Sequence, residues 1–147
     1  MTIGLLDYNL IRSTPTKIYL GEMPDEEFKT LPPNVKVLIN LSHHNHQKNH
    51  DHIILHFPLM DCDNDYFCPK PQEMYRFLEA AHIYTQTQDT YWHCQAGMNR
   101  SALMLAAYLH VYDDSFDSMK QVIRHLRSMR GDFILNNQAF EKFLLSL

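Results

Sequence analysis

The stretch Tyr91-Trp-His-Cys-Gln-Ala-Gly-Met-Asn-Arg-Ser101 sets a histidine, a cysteine, a glycine, an arginine and a serine between a short aromatic run and an almost wholly apolar one. Those types at that spacing can build an anion site. An open α/β sheet holds its ligands where strands give way to helices. Successive backbone N–H groups in such a loop curl into a nest, and the following helix adds about half a positive charge at its N-terminus. A loop curling around one phosphate-sized dianion would present the Cys94 sulfur from its start and the Arg100 guanidinium from its end. The planar fork of arginine matches two phosphate oxygens at once. Gly97 permits positive φ, which turns an amide inward.

A thiol with a pKa of about 8.5 is mostly protonated at neutral pH, but inward amides, a helix N-terminus and a nearby cation lower it by several units. Cys94 is thereby a candidate thiolate nucleophile toward phosphorus. His93 is placed to orient the loop by hydrogen bonding from beneath, and the Ser101 hydroxyl to donate to the sulfur and ease its later departure. Gln95, Ala96, Gly97, Met98 and Asn99 supply the backbone that would line the anion, with Arg100. By composition, a cysteine separated by five residues from a following arginine arises in roughly one such chain in eight. Adding the preceding histidine, the middle glycine and the following serine takes this to roughly one in tens of thousands.

The elements that must position this loop are legible around it. Lys17–Gly21, Val35–Leu41, His52–Phe57 and Thr90–His93 read as strands, bounded by glycine or proline or rich in β-branched and aromatic residues. Gln72–Gln86 carries Met74, Phe77, Leu78, Ala81 and Tyr84 at helical intervals, with Pro71 suited to the first turn. Ala102–Val111 reads as an apolar helix too short to cross a bilayer. Ser115 is the expected cap of a further helix with Met119, Val122, Ile123 and Leu126 on one face, stopped at Gly131. Asn136 or Asn137 caps a last helix bearing Phe140, Phe143, Leu144 and Leu147. Alternating strands and helices predict an α/β fold with a central, largely parallel sheet flanked by helices, as one domain over residues 1–147.

The whole-chain properties narrow the function. With 147 residues, 45% of them hydrophobic and 20% charged, the chain is expected to fold around one core. A net charge of -4 disfavours nucleic acid as a general partner. Cys62, Cys68 and Cys94 are too few and too irregular for a disulfide framework, which suits a reducing, cytoplasmic setting. The start, Met1 to Ser13, lacks a basic region and is interrupted by Asp7, so it does not read as a signal peptide.

Three lesser features carry weaker readings. His43, His44, His46, His50, His52 and His56 crowd together without a fixed ligand spacing, and with the polar residues beside them they read as a wet loop rather than a transition-metal site. Cys62 reads as a packed residue, although it could meet Cys94 on oxidation. Arg124, Arg127 and Arg130 read as a solvated face with helix C-terminal charge compensation.

His93-Cys-Gln-Ala-Gly-Met-Asn-Arg-Ser101 resembles the signature loop of the cysteine-dependent protein tyrosine phosphatases, specifically the compact dual-specificity branch. The likeness extends to Lys17–Gly21, Val37–Ser42, Phe57-Pro-Leu-Met-Asp61 and Asn136–Phe140, nearly the whole chain. Low-molecular-weight phosphatases and arsenate reductases share the cysteine–arginine spacing but carry it near the N-terminus, whereas here it is central. The resemblance implies a metal- and cofactor-independent phosphatase acting on phosphotyrosine, with phosphoserine and phosphothreonine as further substrates, in phosphorylated protein partners. It implies a phosphocysteine intermediate, catalysed by Cys94, Arg100, Ser101 and a general acid. The Pro-x-x-Asp context favours Asp61 for that acid, with Asp63 the alternative; Asp65 is a further acidic neighbour. A positioned acid contributes roughly 10²–10⁴ in rate. Asn99 departs from the small residue common before the arginine and is similar to the loop of RNA 5′-triphosphatases. That substrate, a phosphoinositide, and a non-catalytic phosphoprotein-binding role are the alternatives.

Overall fold

The computed structural model describes residues 7–46 and 51–147. His50 and the first six residues of the N-terminal reading lie outside the described residues. Among the described residues five strands form one sheet: β1 (Tyr8–Arg12), β2 (Ile18–Gly21), β3 (Val37–Asn40), β4 (Ile53–His56) and β5 (Thr90–His93), in the order β1-β2-β5-β3-β4. β5 runs parallel to β2 and β3, β3 parallel to β4, and only β1 is antiparallel. The four expected strands stand within two residues of their predicted ends. β1 is the strand that sequence reasoning missed. Its register slips between Leu10 and Arg12, which breaks the two-residue alternation that marks a strand.

The helices are α1 (Pro71–Thr85), α2 (Arg100–Tyr112), α3 (Met119–Arg130) and α4 (Gln138–Leu145). α2 is buried without interruption from Ser101 to Leu109, so it is apolar all round because other elements surround it. Its residues share one core with Ile18, Leu20, Val37, Ile39 and Trp92 of the sheet, Met74 and Leu78 of α1, Leu126 of α3, and Phe140 of α4. The helices therefore gather on one face. The other face carries a small cluster of Tyr19, Val35 and Tyr91, with Tyr8, Leu10 and Leu31 against it.

Two caps define the helices that close over the site. Ser118, not Ser115, caps α3 by accepting from Gln121 N. Ser115 is unavailable because its own N–H and hydroxyl both donate to Asp113 Oδ1 in a local turn. Gly131 ends α3 at φ 144°, and Asn137 caps α4 by accepting from Phe140 N. Among the described residues no helix is long and apolar enough to cross a membrane.

Candidate active site

The loop Cys94–Asn99 leaves the carboxyl end of the central strand β5 and enters α2 at Arg100. Its shape follows from where its carbonyls go. Cys94 O accepts from His93 Nδ1 at 3.2 Å. Gln95 O accepts from Met23 N at 2.9 Å and Met98 O from Leu135 N at 2.9 Å. Ala96 O and Gly97 O accept from Nη2 and Nε of Arg130, at 3.1 Å and 2.9 Å. Every carbonyl from Cys94 to Met98 is thus held from outside the loop.

In a trans peptide the C=O and the next N–H point in opposite directions. Anchoring these carbonyls outward turns the N–H groups of Gln95, Ala96, Gly97, Met98 and Asn99 toward the inside, an arrangement that suits an anion. Gly97 sits at φ 68°, and a Cβ there would collide with the Gly21 carbonyl, so glycine is required for conformation and for space.

Cys94 is 3% exposed, with Sγ 3.3 Å from Ser101 Oγ. Burial works against the thiolate. The hydroxyl and N–H of Ser101, the Arg100 guanidinium and the Gly97 N–H outweigh it and hold the thiol below its ordinary pKa. Arg100 donates from Nη1 to Leu59 O at 3.2 Å, while its Nε is buried without a protein partner. A donor of that kind is costly to bury unless an acceptor arrives. Gln95 is exposed and Ala96 and Met98 half-buried, so these residues offer their backbone at the rim rather than side chains within.

Asp61 is joined to the loop through asparagines. Its Oδ2 accepts from Asn99 Nδ2 at 3.2 Å and its Oδ1 from Asn137 Nδ2 at 2.9 Å. Asn99 also donates to Asn136 Oδ1 at 2.7 Å and accepts from Asn137 N at 2.9 Å, and Asn137 donates to Cys62 O at 3.0 Å. Asp63 points elsewhere, accepting from Ala139 N in the first turn of α4 at 2.9 Å. Asp65 lies in a single 3-10 turn, Asp65–Phe67, capped by Asn64. Of the three acidic residues, Asp61 is the one tied to the loop.

His93 lies fully buried beneath the loop, and burial pushes its pKa down to about 3. The reading of the α3 arginines needs correction. Arg130 is 7% exposed and props two loop carbonyls, while also donating to Asn9 Oδ1 at 2.9 Å. Arg127 donates to Ile134 O at 2.9 Å and pairs with Glu141 at 3.1 Å, steadying the turn whose Leu135 N–H reaches Met98 O. Only Arg124 lies on an exposed face. The sequence signal for Arg130 was its place on the helical stripe of buried residues, one turn beyond Leu126. Cys62 and Cys68 are half-buried free thiols. Among the described residues no group of three or more His, Cys, Asp or Glu side chains is placed to hold a metal ion.

The family model for the dual specificity phosphatase catalytic domain matches residues 18–147. The chain belongs to the dual-specificity phosphatase family. It is accordingly a cysteine-dependent phosphatase, and its substrates are phosphorylated. No curated protein matches it in sequence. Among solved structures it is similar to human DUSP28, with 15% identity over 99% of this chain and 95% of that one and a TM-score of 0.75. It is similar to Tk-PTP in the active form, with 16% identity over 95% of this chain and 97% of that one and a TM-score of 0.71. It also resembles PTPMT1 in complex with PI(5)P, with 21% identity, 96% and 98% of the two chains covered and a TM-score of 0.64. These likenesses establish the same α/β architecture around the loop.

Proposed function

We propose that this dual-specificity phosphatase hydrolyses phosphotyrosine, and phosphoserine or phosphothreonine, in proteins through a phosphocysteine intermediate, without a metal. Cys94 attacks phosphorus in line while Arg100 and the N–H groups of Gln95 through Asn99 hold the non-bridging oxygens. Asp61 protonates the departing oxygen. Water, deprotonated by the same aspartate, then cleaves the S–P bond, and Ser101 stabilises the thiolate that leaves. His93 supports the loop from below. The observation that supports this reading is the pairing of a buried Cys94 thiol held below its ordinary pKa with loop carbonyls anchored outward and an Arg100 Nε that lacks a partner.

We place the enzyme in the cytoplasm, because three irregularly spaced free cysteines suit a reducing compartment. A phosphoinositide is the second reading, favoured by the likeness to PTPMT1, which was solved with PI(5)P. The acidic segment at Asp61, Asp63 and Asp65 weighs against a polyanionic RNA end.

Hydrolysis of para-nitrophenyl phosphate in EDTA by the parent protein, and its loss in Cys94→Ser, tests the catalytic role. Parallel rates on phosphotyrosyl peptide, phosphoseryl peptide and PI(5)P assign the substrate. An inert parent that still binds phosphopeptide would replace the enzyme by a binding module.

A further inference from the structure

The histidine-rich run has no part in the mechanism above, yet one of its members reaches the catalytic loop from behind. His46 Nε2 lies 2.9 Å from His93 Nε2, with the rings in edge contact at 4.9 Å between centroids. The direction of this hydrogen bond is fixed by its neighbour. Cys94 O is a carbonyl and can only accept, so the His93 Nδ1 facing it must carry a proton. His93 is fully buried and neutral at physiological pH, so its Nε2 is bare and accepts. The proton between the rings therefore belongs to His46.

The surroundings hold His46 in that pose. Phe28, buried at φ 57°, sets its ring edge-on to His46 at 5.1 Å. Asp25 secures the turn that carries Phe28, accepting from Lys29 N at 3.1 Å and Thr30 N at 2.9 Å. Asn40, at the end of β3, accepts from Ser42 N at 2.9 Å and donates to His44 O at 2.8 Å, pinning the chain that leads to His46. Two loops thus converge to present one ring nitrogen to His93.

We propose that His46 is a positioning residue for catalysis, acting through His93: its Nε2–H keeps His93 in the Nδ1-protonated tautomer that anchors the Cys94 carbonyl and aims the Gln95 N–H into the nest. Without that donor His93 can place its proton on Nε2, and its bare Nδ1 then faces the Cys94 carbonyl oxygen, lone pair against lone pair. The first peptide of the loop would be freed to turn.

This role rests on the phosphatase reading, but its first test needs no substrate. Nitrogen-15 NMR of the resting protein should show His93 protonated at Nδ1 and bare at Nε2. An Nε2-protonated or mixed His93 overturns the proposal. In the second arm, His46→Phe keeps the ring and its packing but removes the donor, and His46→Gln restores an N–H at nearly the same reach. With para-nitrophenyl phosphate, His46→Phe should lower kcat roughly tenfold with a smaller change in KM, by analogy with the low end of the loss when the partner of a metal-ligating histidine is removed. His46→Gln should recover most of the loss. A folded His46→Phe with parental kcat, a change in KM alone, or a His46→Gln as impaired as His46→Phe would each overturn it. If His46→Phe fails to fold, the tautomer and the kcat of His46→Gln decide. An inert parent would sink the phosphatase reading and leave the tautomer result standing.

Discussion

The catalytic loop and the acidic segment that faces it are held by different means. The loop 94–98 is anchored carbonyl by carbonyl, to His93, Met23, Arg130 and Leu135, and its cysteine is buried. The segment bearing Asp61 is exposed and reaches the loop through side chains: Asn99, Asn137 and the Arg100 contact with Leu59 O. A backbone fixed at each peptide makes the anion nest before any substrate arrives, and preorganisation of this sort is what lets dipoles stabilise developing charge. In the proposed mechanism, side-chain tethers on an exposed segment suit an acid whose task matters only when the leaving group needs a proton.

That contrast predicts opposite sensitivities. Asp61→Asn should cost roughly 10²–10⁴ in rate on phosphoseryl peptide, whose alkoxide leaves poorly, and much less in the first step on para-nitrophenyl phosphate. Equal losses on both would mean that Asp61 acts through the loop instead, and the same loss in Asp63→Asn alone would reassign the acid. Arg130→Lys should behave in the reverse way. A lysine has one nitrogen where Arg130 uses three, on Gly97 O, Ala96 O and Asn9 Oδ1, and cannot reproduce that fork, so kcat/KM should fall by about 10²-fold whatever the leaving group, with about 1–3 kcal/mol lost in denaturant melts.

A finer test lies where the two regions meet. Asn99→Ser removes an amide that donates to Asp61 and Asn136 and accepts from Asn137 N, so rates on phosphoseryl peptide should drop at least about threefold, the worth of the Asp61 bond alone, and less on para-nitrophenyl phosphate. The loop's support also has a pH signature. His93 is neutral in the fold, its pKa pushed down to about 3, against about 6.5 when unfolded. Its stabilising contribution is complete above about pH 6.5 and is lost as pH falls toward 3. By pH 5 the loss is about 2 kcal/mol, which His93→Asn should abolish in the pH dependence of unfolding.

The proposed nucleophile, arginine and serine stand together in the sequence because a loop that curls around one anion is contiguous. Five residues between Cys94 and Arg100 suffice to curl around one ligand, and the chemistry is written in adjacent letters. The loop's external anchors were not legible. Met23 and Leu135 act through backbone N–H groups, which any residue but proline supplies, and Arg130 reaches the loop from the end of another helix. An arginine in a row of three on a helix reads as solvated until the partner that buries it is known. Asp61 and Asp63 are hard to tell apart in the sequence for a related reason. Both lie in one acidic run, and what separates them is that Asp63 turns to the first turn of α4 while Asp61 turns to Asn99 and Asn137.

The most direct test of the account is to trap the intermediate. Para-nitrophenyl phosphate should phosphorylate Asp61→Ala without needing the acid, while the missing base slows hydrolysis, so rapid acid quench followed by peptide mass spectrometry should find a phosphoryl group on Cys94. Phosphate released with no such adduct, or an adduct on any other residue, would contradict it.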